Sequence, residues 1–294
     1  MTEPLADVHA QIAQLFVYPI KSCAGVAVNE AILTFAGLDL DRAWMVVDAQ
    51  GEFVSQRELP RMALIRPTLR QDDMVLRAPG MLALHLAIGA AEQPVTVRVW
   101  NDEVRAYDMG SVAAQWFTDF LSPGGSGLGP LRLVRFDPDE KRLSDKRWTG
   151  GVEAPNQFSD GFAVLVAGES SLALFNRQLA DAGHAAVGME RFRPNLVLSG
   201  LEAYDEDHLD RLQIGDGAEA MQLRLVKPCA RCPIPDIDPL TAERGHAVGD
   251  LLLAQRRDAR LQGALTWGMN AIVLAGDGQT LRCGQPVQAN YRFD

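Results

Sequence analysis

The residues with the greatest chemical potential lie in the segment KPCARCPIPDIDP, which holds Cys229 and Cys232. Cys229 directly follows a predicted strand, and two prolines restrict the loop after it. Rigid loops at strand ends are common places for binding and catalytic groups. The cations Lys227 and Arg231 favour the thiolate, which is the form that binds a soft metal. The segment therefore predicts a metal-binding or reactive thiol at Cys229.

Two cysteines at this spacing also occur in structural zinc sites and in thioredoxin-like redox motifs. A zinc site needs two further ligands at a suitable spacing, which the histidines do not provide. The five histidines are His9, His85, His184, His208 and His246. The redox motif opens a helix, whereas Pro233 and Pro235 prevent a helix from continuing here. Both uses are therefore less favoured than a single metal-binding thiol.

Basic and polar side chains at other predicted strand ends form a second constellation. Lys21 and Ser22 follow the strand LFVYP, and Arg57 follows a strand hairpin in VSQRELPRM. In RFRPN, Arg193 and Asn195 stand at the start of the strand NLVLSG. Each of these residues alone is more often a surface group than a ligand. Together, their ammonium, guanidinium, hydroxyl and amide groups could hold a phosphate.

The first half of the chain has the pattern of a small β-barrel. Apolar stretches such as LFVYP, AWMVVDA, MVLRA and VTVRVW alternate with turn-prone pairs such as Gln50-Gly51 and Asn101-Asp102. From Ser111 to Leu121 the spacing becomes helical. The predicted buried stripe of this helix is Val112, Trp116, Phe117, Phe120 and Leu121.

The second half is again rich in strands. The glycine-rich segment Pro123–Gly127 indicates a connection between two packed units. Strand-like segments follow it, interrupted by a helix for which Ser170 is the expected N-terminal cap. We therefore predict a mostly β (α+β) fold. An N-terminal β-barrel module over 12–122 packs on a β-barrel-like domain over 130–291 that carries a few helices.

Composition narrows the class of protein. Of the 294 residues, 47% are hydrophobic and 22% are charged, and no apolar run is long enough to cross a bilayer. The segment Met1–Ala10 lacks a basic start followed by an apolar stretch, so it does not resemble a secretion signal. Four scattered cysteines favour a reducing compartment. We expect a cytoplasmic protein, and a net charge of −10 makes nucleic acid a poor partner.

Five segments, taken in order, resemble the MOSC family. They are YPIKSC, GLDLDRAWMVVD, SQRELPRMALIRP, RFRPNLVLSG and CARCPIPDIDP. The likeness covers nearly the whole chain. It is closest to MOSC proteins with an N-terminal β-barrel module, the group that includes the mitochondrial amidoxime-reducing component and its bacterial relatives.

The resemblance implies a site, residue by residue. Cys229 would be the protein sulfur on molybdenum, whereas Cys232 would not bind the metal. Asp160, in FSDGF, matches an acidic position near the metal and is a candidate proton donor or relay. The positions implied for binding the pterin cofactor, molybdopterin, are Lys21, Ser22, Arg57, Ser170, Arg193 and Asn195.

The resemblance also implies a reaction. The chain would be a molybdenum-dependent oxidoreductase that reduces N-hydroxylated or N-oxide compounds. It lacks the C-terminal four-cysteine module of some bacterial relatives, so electrons would come from a separate donor, such as a ferredoxin-like protein or a cytochrome or flavin reductase. Two other functions stay open. The chain could transfer sulfur through a persulfide on Cys229, or carry the molybdenum cofactor without turnover.

Overall fold

A computed structural model describes residues 6–122 and 129–292, and these residues confirm the mostly β class. The strands are β1 (Val8–Val17), β2 (Val26–Val28), β3 (Glu30–Thr34), β4 (Gly37–Leu38), β5 (Trp44–Val47), β6 (Arg66–Leu69), β7 (Asp73–Arg77), β8 (Leu84–Ala87), β9 (Gln93–Val99), β10 (Asp102–Asp108), β11 (Arg132–Phe136), β12 (Val164–Gly168), β13 (Leu196–Ser199), β14 (Leu209–Ile214), β15 (Met221–Ala230), β16 (Arg257–Asp258), β17 (Ala264–Ala275), β18 (Thr280–Arg282) and β19 (Pro286–Tyr291). The α-helices are α1 (Gly110–Leu121), α2 (Lys146–Thr149), α3 (Glu169–Asp181) and α4 (Ala247–Gln255). Short 3-10 helices lie at Pro60–Leu64, Met189–Arg191, Asp205–Asp207, Gly217–Glu219, Ile234–Asp236 and Ala259–Leu261.

Seven strands form a closed barrel. Their order is β12-β13-β1-β19-β14-β15-β17, and β17 pairs with β12 to complete the ring. Neighbouring strands are antiparallel except β12 and β13, which are parallel. Alternate apolar side chains, such as Ile12 of β1 and Leu212 of β14, fill the interior. Closure leaves the barrel without a free edge. Since β1 comes early in the chain and β19 late, the barrel joins distant parts of the sequence.

Three smaller sheets surround the barrel, in the orders β5-β11-β10-β9, β6-β7-β8 and β18-β3-β4. Strand pairing crosses the predicted boundary, because β1 lies in the barrel and β11 pairs with β5. The division into 12–122 and 130–291 therefore stays a prediction. The segment Pro123–Gly127, expected to connect the modules, lies outside the described residues.

The helix predicted over Ser111–Leu121 is confirmed as α1, whose aromatic side chains pack in a core with Leu131 and Leu133. The place of Val112 in its buried stripe was predicted wrongly, because Val112 is 72% exposed. At 3.6 residues per turn, Val112 lies roughly 140° around the helix from the fully buried Phe117. No helix within the described ranges has both the length and the apolar character needed to span a membrane.

The start of α3 corrects the expectation that Ser170 is its cap. The N-cap residue is Gly168, and the Ser170 hydroxyl instead donates to the Leu201 carbonyl at 2.6 Å. A carboxylate from a distant part of the sequence accepts hydrogen bonds at this helix end. Glu206 accepts the Gly168 N–H at 3.0 Å and the Ser171 hydroxyl at 2.7 Å. A negative group at this position also interacts favourably with the helix dipole.

Asn195, immediately before β13, links three segments from the centre of the fold. Its side chain is buried, and its amide oxygen accepts from the Leu165 N–H and from Arg42 Nη1, both at 3.1 Å. The amide nitrogen donates to the Phe16 carbonyl at 3.2 Å. Because β1 and β12 lie on either side of β13 in the barrel, this side chain fixes how the three strands meet near the Arg42 loop.

Glu206 should make stability depend on pH. Burial raises the pKa of Glu206, and the charge of Asp207 acts in the same direction. The unfolded chain therefore loses this proton at a lower pH than the folded chain does, so the contribution to stability falls as pH rises from the ordinary carboxyl pKa through the folded one. We expect Glu206→Gln to raise the melting temperature more at pH 8 than at pH 5, as measured by circular dichroism. The exposed Glu202→Gln is the control, and an equal effect of Glu206→Gln at both pH values would contradict the expectation.

Asn195→Ala should lower the free energy of unfolding by about 2–4 kcal/mol, because it leaves the buried Leu165 N–H and Phe16 carbonyl with fewer partners. Denaturation in urea measures the change. Asn290→Ala is the matched control, since that half-buried amide makes only a 3.5 Å contact with Asp7 and its loss should change stability by less than about 0.5 kcal/mol. Similar effects of the two substitutions would argue against a bridging role for Asn195.

Candidate functional site

A cleft lies where the N-terminal loops meet one end of the barrel. All but one of the site residues predicted from the sequence line it, namely Lys21, Ser22, Arg57, Asp160, Arg193, Asn195 and Cys229. The structure does not bring Ser170 into the cleft, since that side chain is directed to the Leu201 carbonyl. Residues far apart in sequence thus share one cavity.

Cys229 lies one residue before the end of β15, with a half-buried, free thiol. Arg231 Nη1 donates to its sulfur at 3.1 Å. The ammonium group of Lys227, by contrast, lies 5.4 Å from the Trp148 ring centroid and 5.7 Å from that of Phe162. Irregularities in the pairing of β15 with β17 on both sides of this stretch alter the direction of successive side chains. Of the two cations expected near the thiol, the structure brings Arg231 to it.

Lys21 is buried and forms an ion pair at the cleft. Its Nζ donates to the Phe158 carbonyl at 2.9 Å and to the Asp160 carboxylate. Burial lowers the pKa of Lys21, and attraction to Asp160 opposes this change. The Asp160 side chain is 72% exposed. Desolvation raises the pKa of Asp160, but attraction to Lys21 and the hydrogen bond from it outweigh this effect and hold the pKa below its usual range.

Two guanidinium groups share one aromatic ring behind the cleft. The guanidinium carbons of Arg42 and Arg193 each lie 4.3 Å from the Tyr18 ring centroid. Arg42 also donates to the buried Asp41 carboxylate at 2.5 Å, and Arg193 Nη1 donates to the Cys23 carbonyl at 2.6 Å. Burial and the positive charge of Arg42 lower the pKa of Arg193 to about 10. The two guanidinium groups are thus close together, and each has its own hydrogen-bond acceptor.

Arg57 lies at the rim of the cleft. Its Nε donates to Ser55 Oγ at 3.1 Å, and its guanidinium carbon lies 4.6 Å from the Trp100 ring centroid. Trp100 packs on Phe53 with ring centroids 5.0 Å apart and donates to Asp160 at 3.3 Å. This exposed indole therefore connects the Arg57 group to the Lys21 ion pair.

Backbone strain is concentrated at this cleft. Within the described residues, eight non-glycine residues have a positive φ angle, and half of them line the cavity. These four are Ser22 (68°), Arg42 (50°), Trp100 (56°) and Arg193 (58°). Left-handed conformations are unfavourable for such residues and persist where the surrounding structure enforces them, commonly at functional sites.

The charge of the cleft is opposite to that of the chain. Five basic side chains and one carboxylate line it, whereas the whole chain has a net charge of −10. Such a cavity attracts anions. Across residues 6–122 and 129–292, no three His, Cys, Asp or Glu side chains come together as a candidate metal-binding group.

The lining residues that sequence reasoning missed include Arg42, Phe53, Ser55 and Trp100. The charged pair Asp41-Arg42 lies one residue before the wholly buried strand β5, and this is a signal that could have identified Arg42. Trp100 stands before the turn-prone Asn101-Asp102, where an exposed indole is conspicuous. For Phe53 and Ser55 we find no comparable signal.

Comparison with known proteins gives two family matches and several relatives. The chain matches the MOSC N-terminal beta barrel domain over residues 9–123 and the MOSC domain over residues 153–288. It is 36% identical over 241 residues to mitochondrial amidoxime-reducing component 1 of Homo sapiens, covering 78% of this chain and 67% of that protein. It is 33% identical over 289 residues to the same component of Mus musculus, covering 94% of this chain and 81% of that protein.

A third relative is named for a different activity. The chain is 28% identical over 268 residues to molybdenum cofactor sulfurase of Bos taurus, covering 85% of this chain but 29% of that protein. Together, the two domain matches and the extent of the amidoxime-reducing relatives establish that this chain belongs to the MOSC family, with a MOSC N-terminal β-barrel domain followed by a MOSC domain.

Proposed function

We propose that the chain is a molybdenum-cofactor-dependent oxidoreductase that reduces N-hydroxylated or N-oxide compounds in the cytoplasm, with electrons from a separate redox protein. The observation that carries the proposal is the presence of the Cys229 thiol and five cations in one cleft. The names of the amidoxime-reducing relatives support the reaction class.

The residues of the cleft fit a pterin-bound molybdenum. A soft thiolate suits this metal, and Cys229 is the thiol that Arg231 contacts. Lys21, Ser22 and Arg57 would hold the cofactor phosphate, with Arg193 beside them, because their charged and hydroxyl donors suit phosphate oxygens. When bound, the cofactor would supply the two-electron chemistry that removes an oxygen atom from nitrogen.

The remaining chemistry belongs to the chain. Asn195 orients Arg42 behind the cleft, and Trp100 keeps Arg57 and Asp160 at its rim. Release of the substrate oxygen as water consumes protons. While it is paired with Lys21, Asp160 is a carboxylate and has no proton to donate. It accepts a hydrogen bond from the Lys21 ammonium group instead. Asp160 can act as a donor only after another anion has taken Lys21 from it.

Sulfur transfer through a persulfide on Cys229 is the second candidate. The half-buried thiol in contact with Arg231 and the similarity to molybdenum cofactor sulfurase favour it. A sulfur carrier has no need of a phosphate-binding group, whereas Lys21, Arg57 and Arg193 line the same cleft as the thiol. A carrier of the cofactor without turnover would use the same residues, so measurement of turnover separates it from the enzyme.

The first test is turnover with different electron donors. Protein from a host that makes the cofactor should contain about one molybdenum per chain and reduce an amidoxime with reduced viologen. It should show no turnover with a nicotinamide cofactor alone, since the sequence contains no glycine-rich dinucleotide motif after a strand. Cys229→Ser should abolish reduction, and Cys232→Ser should retain most of it. Equal and total loss from both variants, with zinc in place of molybdenum, would mean that the two thiols form a structural site.

The second test is retention of the cofactor. Lys21→Ala combined with Arg193→Ala should lower molybdenum content at least tenfold, because each lost charge-assisted hydrogen bond contributes roughly 1.5–3 kcal/mol. Elemental analysis after gel filtration measures the content, and circular dichroism checks the fold. Lys141→Ala, an exposed cation outside the cleft, is the control. Full molybdenum content in the double variant would remove these residues from the phosphate-binding role.

A further inference from the structure

A guanidinium group, that of Arg231, is in hydrogen-bond contact with the Cys229 sulfur at 3.1 Å. Arg231 lies directly after β15, on the same turn of chain that carries the thiol into the cleft. A hydrogen bond from a permanent cation stabilises negative charge on sulfur more strongly than a neutral donor does. The contact therefore affects both the direction and the electron density of this sulfur.

The position of Arg231 is fixed by the core rather than by solvent. Its Nη2 donates to the Phe192 carbonyl at 2.9 Å, and its main-chain N–H donates to the Leu265 carbonyl at 2.8 Å. Phe192 is fully buried and stacks on Trp267, with ring centroids 3.9 Å apart and an interplanar angle of 20°. Because this stack is rigid, the guanidinium group has little freedom to leave the sulfur.

One N–H of the same guanidinium is left unsatisfied. Arg231 Nε is buried and has no hydrogen-bond partner among the described residues. Burial of an unpaired donor is unfavourable, and such groups in folded proteins commonly reflect a functional requirement. The arrangement favours the contacts of Nη1 with Cys229 and of Nη2 with Phe192 at the expense of Nε.

We infer that Arg231 is a positioning residue that holds the Cys229 sulfur in the cleft and raises the reduction potential of a metal bound to it. This inference rests on the proposed function. A hydrogen bond to a coordinating thiolate withdraws electron density from the sulfur, so the reduced metal becomes more stable relative to the oxidised one. Arg231 would thereby make electron uptake from a partner more favourable.

The experiment compares Arg231→Gln and Arg231→Lys with the wild-type holoprotein. Molybdenum content is measured by elemental analysis, and the midpoint potential by a redox titration monitored by electron paramagnetic resonance. Arg231→Gln should retain the metal and shift the potential to more negative values. A change of about tenfold in the equilibrium constant corresponds to about 59 mV for a one-electron couple. Arg231→Lys keeps a cation and should shift less. Arg147→Gln, at an 85% exposed side chain, should not shift the potential.

The outcomes separate this inference from the proposed function. Wild-type protein without molybdenum would overturn both. Wild-type protein with molybdenum and an Arg231→Gln variant with an unchanged potential would overturn the role of Arg231 alone. If Arg231→Gln fails to fold or loses the metal, Arg231→Lys decides, because its single ammonium cannot reproduce both guanidinium contacts. An unchanged potential and resonance spectrum in that variant would then count against the inference.

Discussion

The cleft depends on holding two positive charges against one aromatic ring. Arg42 and Arg193 repel each other, yet both guanidinium carbons lie 4.3 Å from the Tyr18 ring centroid. The buried Asp41 carboxylate offsets part of this repulsion through its contact with Arg42. The amide oxygen of Asn195 adds a further contact to Arg42. Without these partners the two cations would separate, and the wall of the cleft would lose its shape.

This requirement explains why the site lies between distant parts of the chain. Tyr18 follows β1, a barrel strand from early in the sequence, whereas Arg193 and Asn195 precede β13. The pairing of β1 with β13 brings them together. Asn195 then links these segments to Leu165, at the start of β12. The barrel thus positions the cations, and the same hydrogen bonds that order the strands also order the site.

The sequence contained much of this site, but not all of it. Cys229, Lys21 and Arg193 could be singled out because thiol, ammonium and guanidinium groups at strand ends have recognisable chemistry. Ser170 was wrongly predicted to cap α3 because a serine near a helix start resembles a cap, whereas Glu206, far along the chain, accepts the hydrogen bonds at this helix end. A carboxylate from a distant segment that takes the role of a local cap cannot be recognised from the sequence around the helix start.

The strand order was likewise hidden from local patterns. Apolar alternation predicted many of the strands, including those that form β1, β5, β7, β9 and β13, since side-chain periodicity is a local property. The pairing of strands is not a local property. The pairing of β1 with β13 and of β11 with β5, across the expected boundary, therefore could not be predicted from side-chain periodicity. The contact of Trp100 with Asp160 could not be predicted either, because it depends on the position of the β9–β10 hairpin turn in the folded chain.

The ion pair between Lys21 and Asp160 also determines which anions the cleft can accept. Any anion that takes Lys21 must compete with a carboxylate already bound to it, so weak monovalent ligands gain little. A phosphate ester has more charge and more acceptor oxygens, and it can engage Arg57 and Arg193 at the same time. Competition from Asp160 therefore favours ligands with several acceptor atoms over simple anions. An internal carboxylate of this kind lowers affinity for every anion but raises discrimination among them.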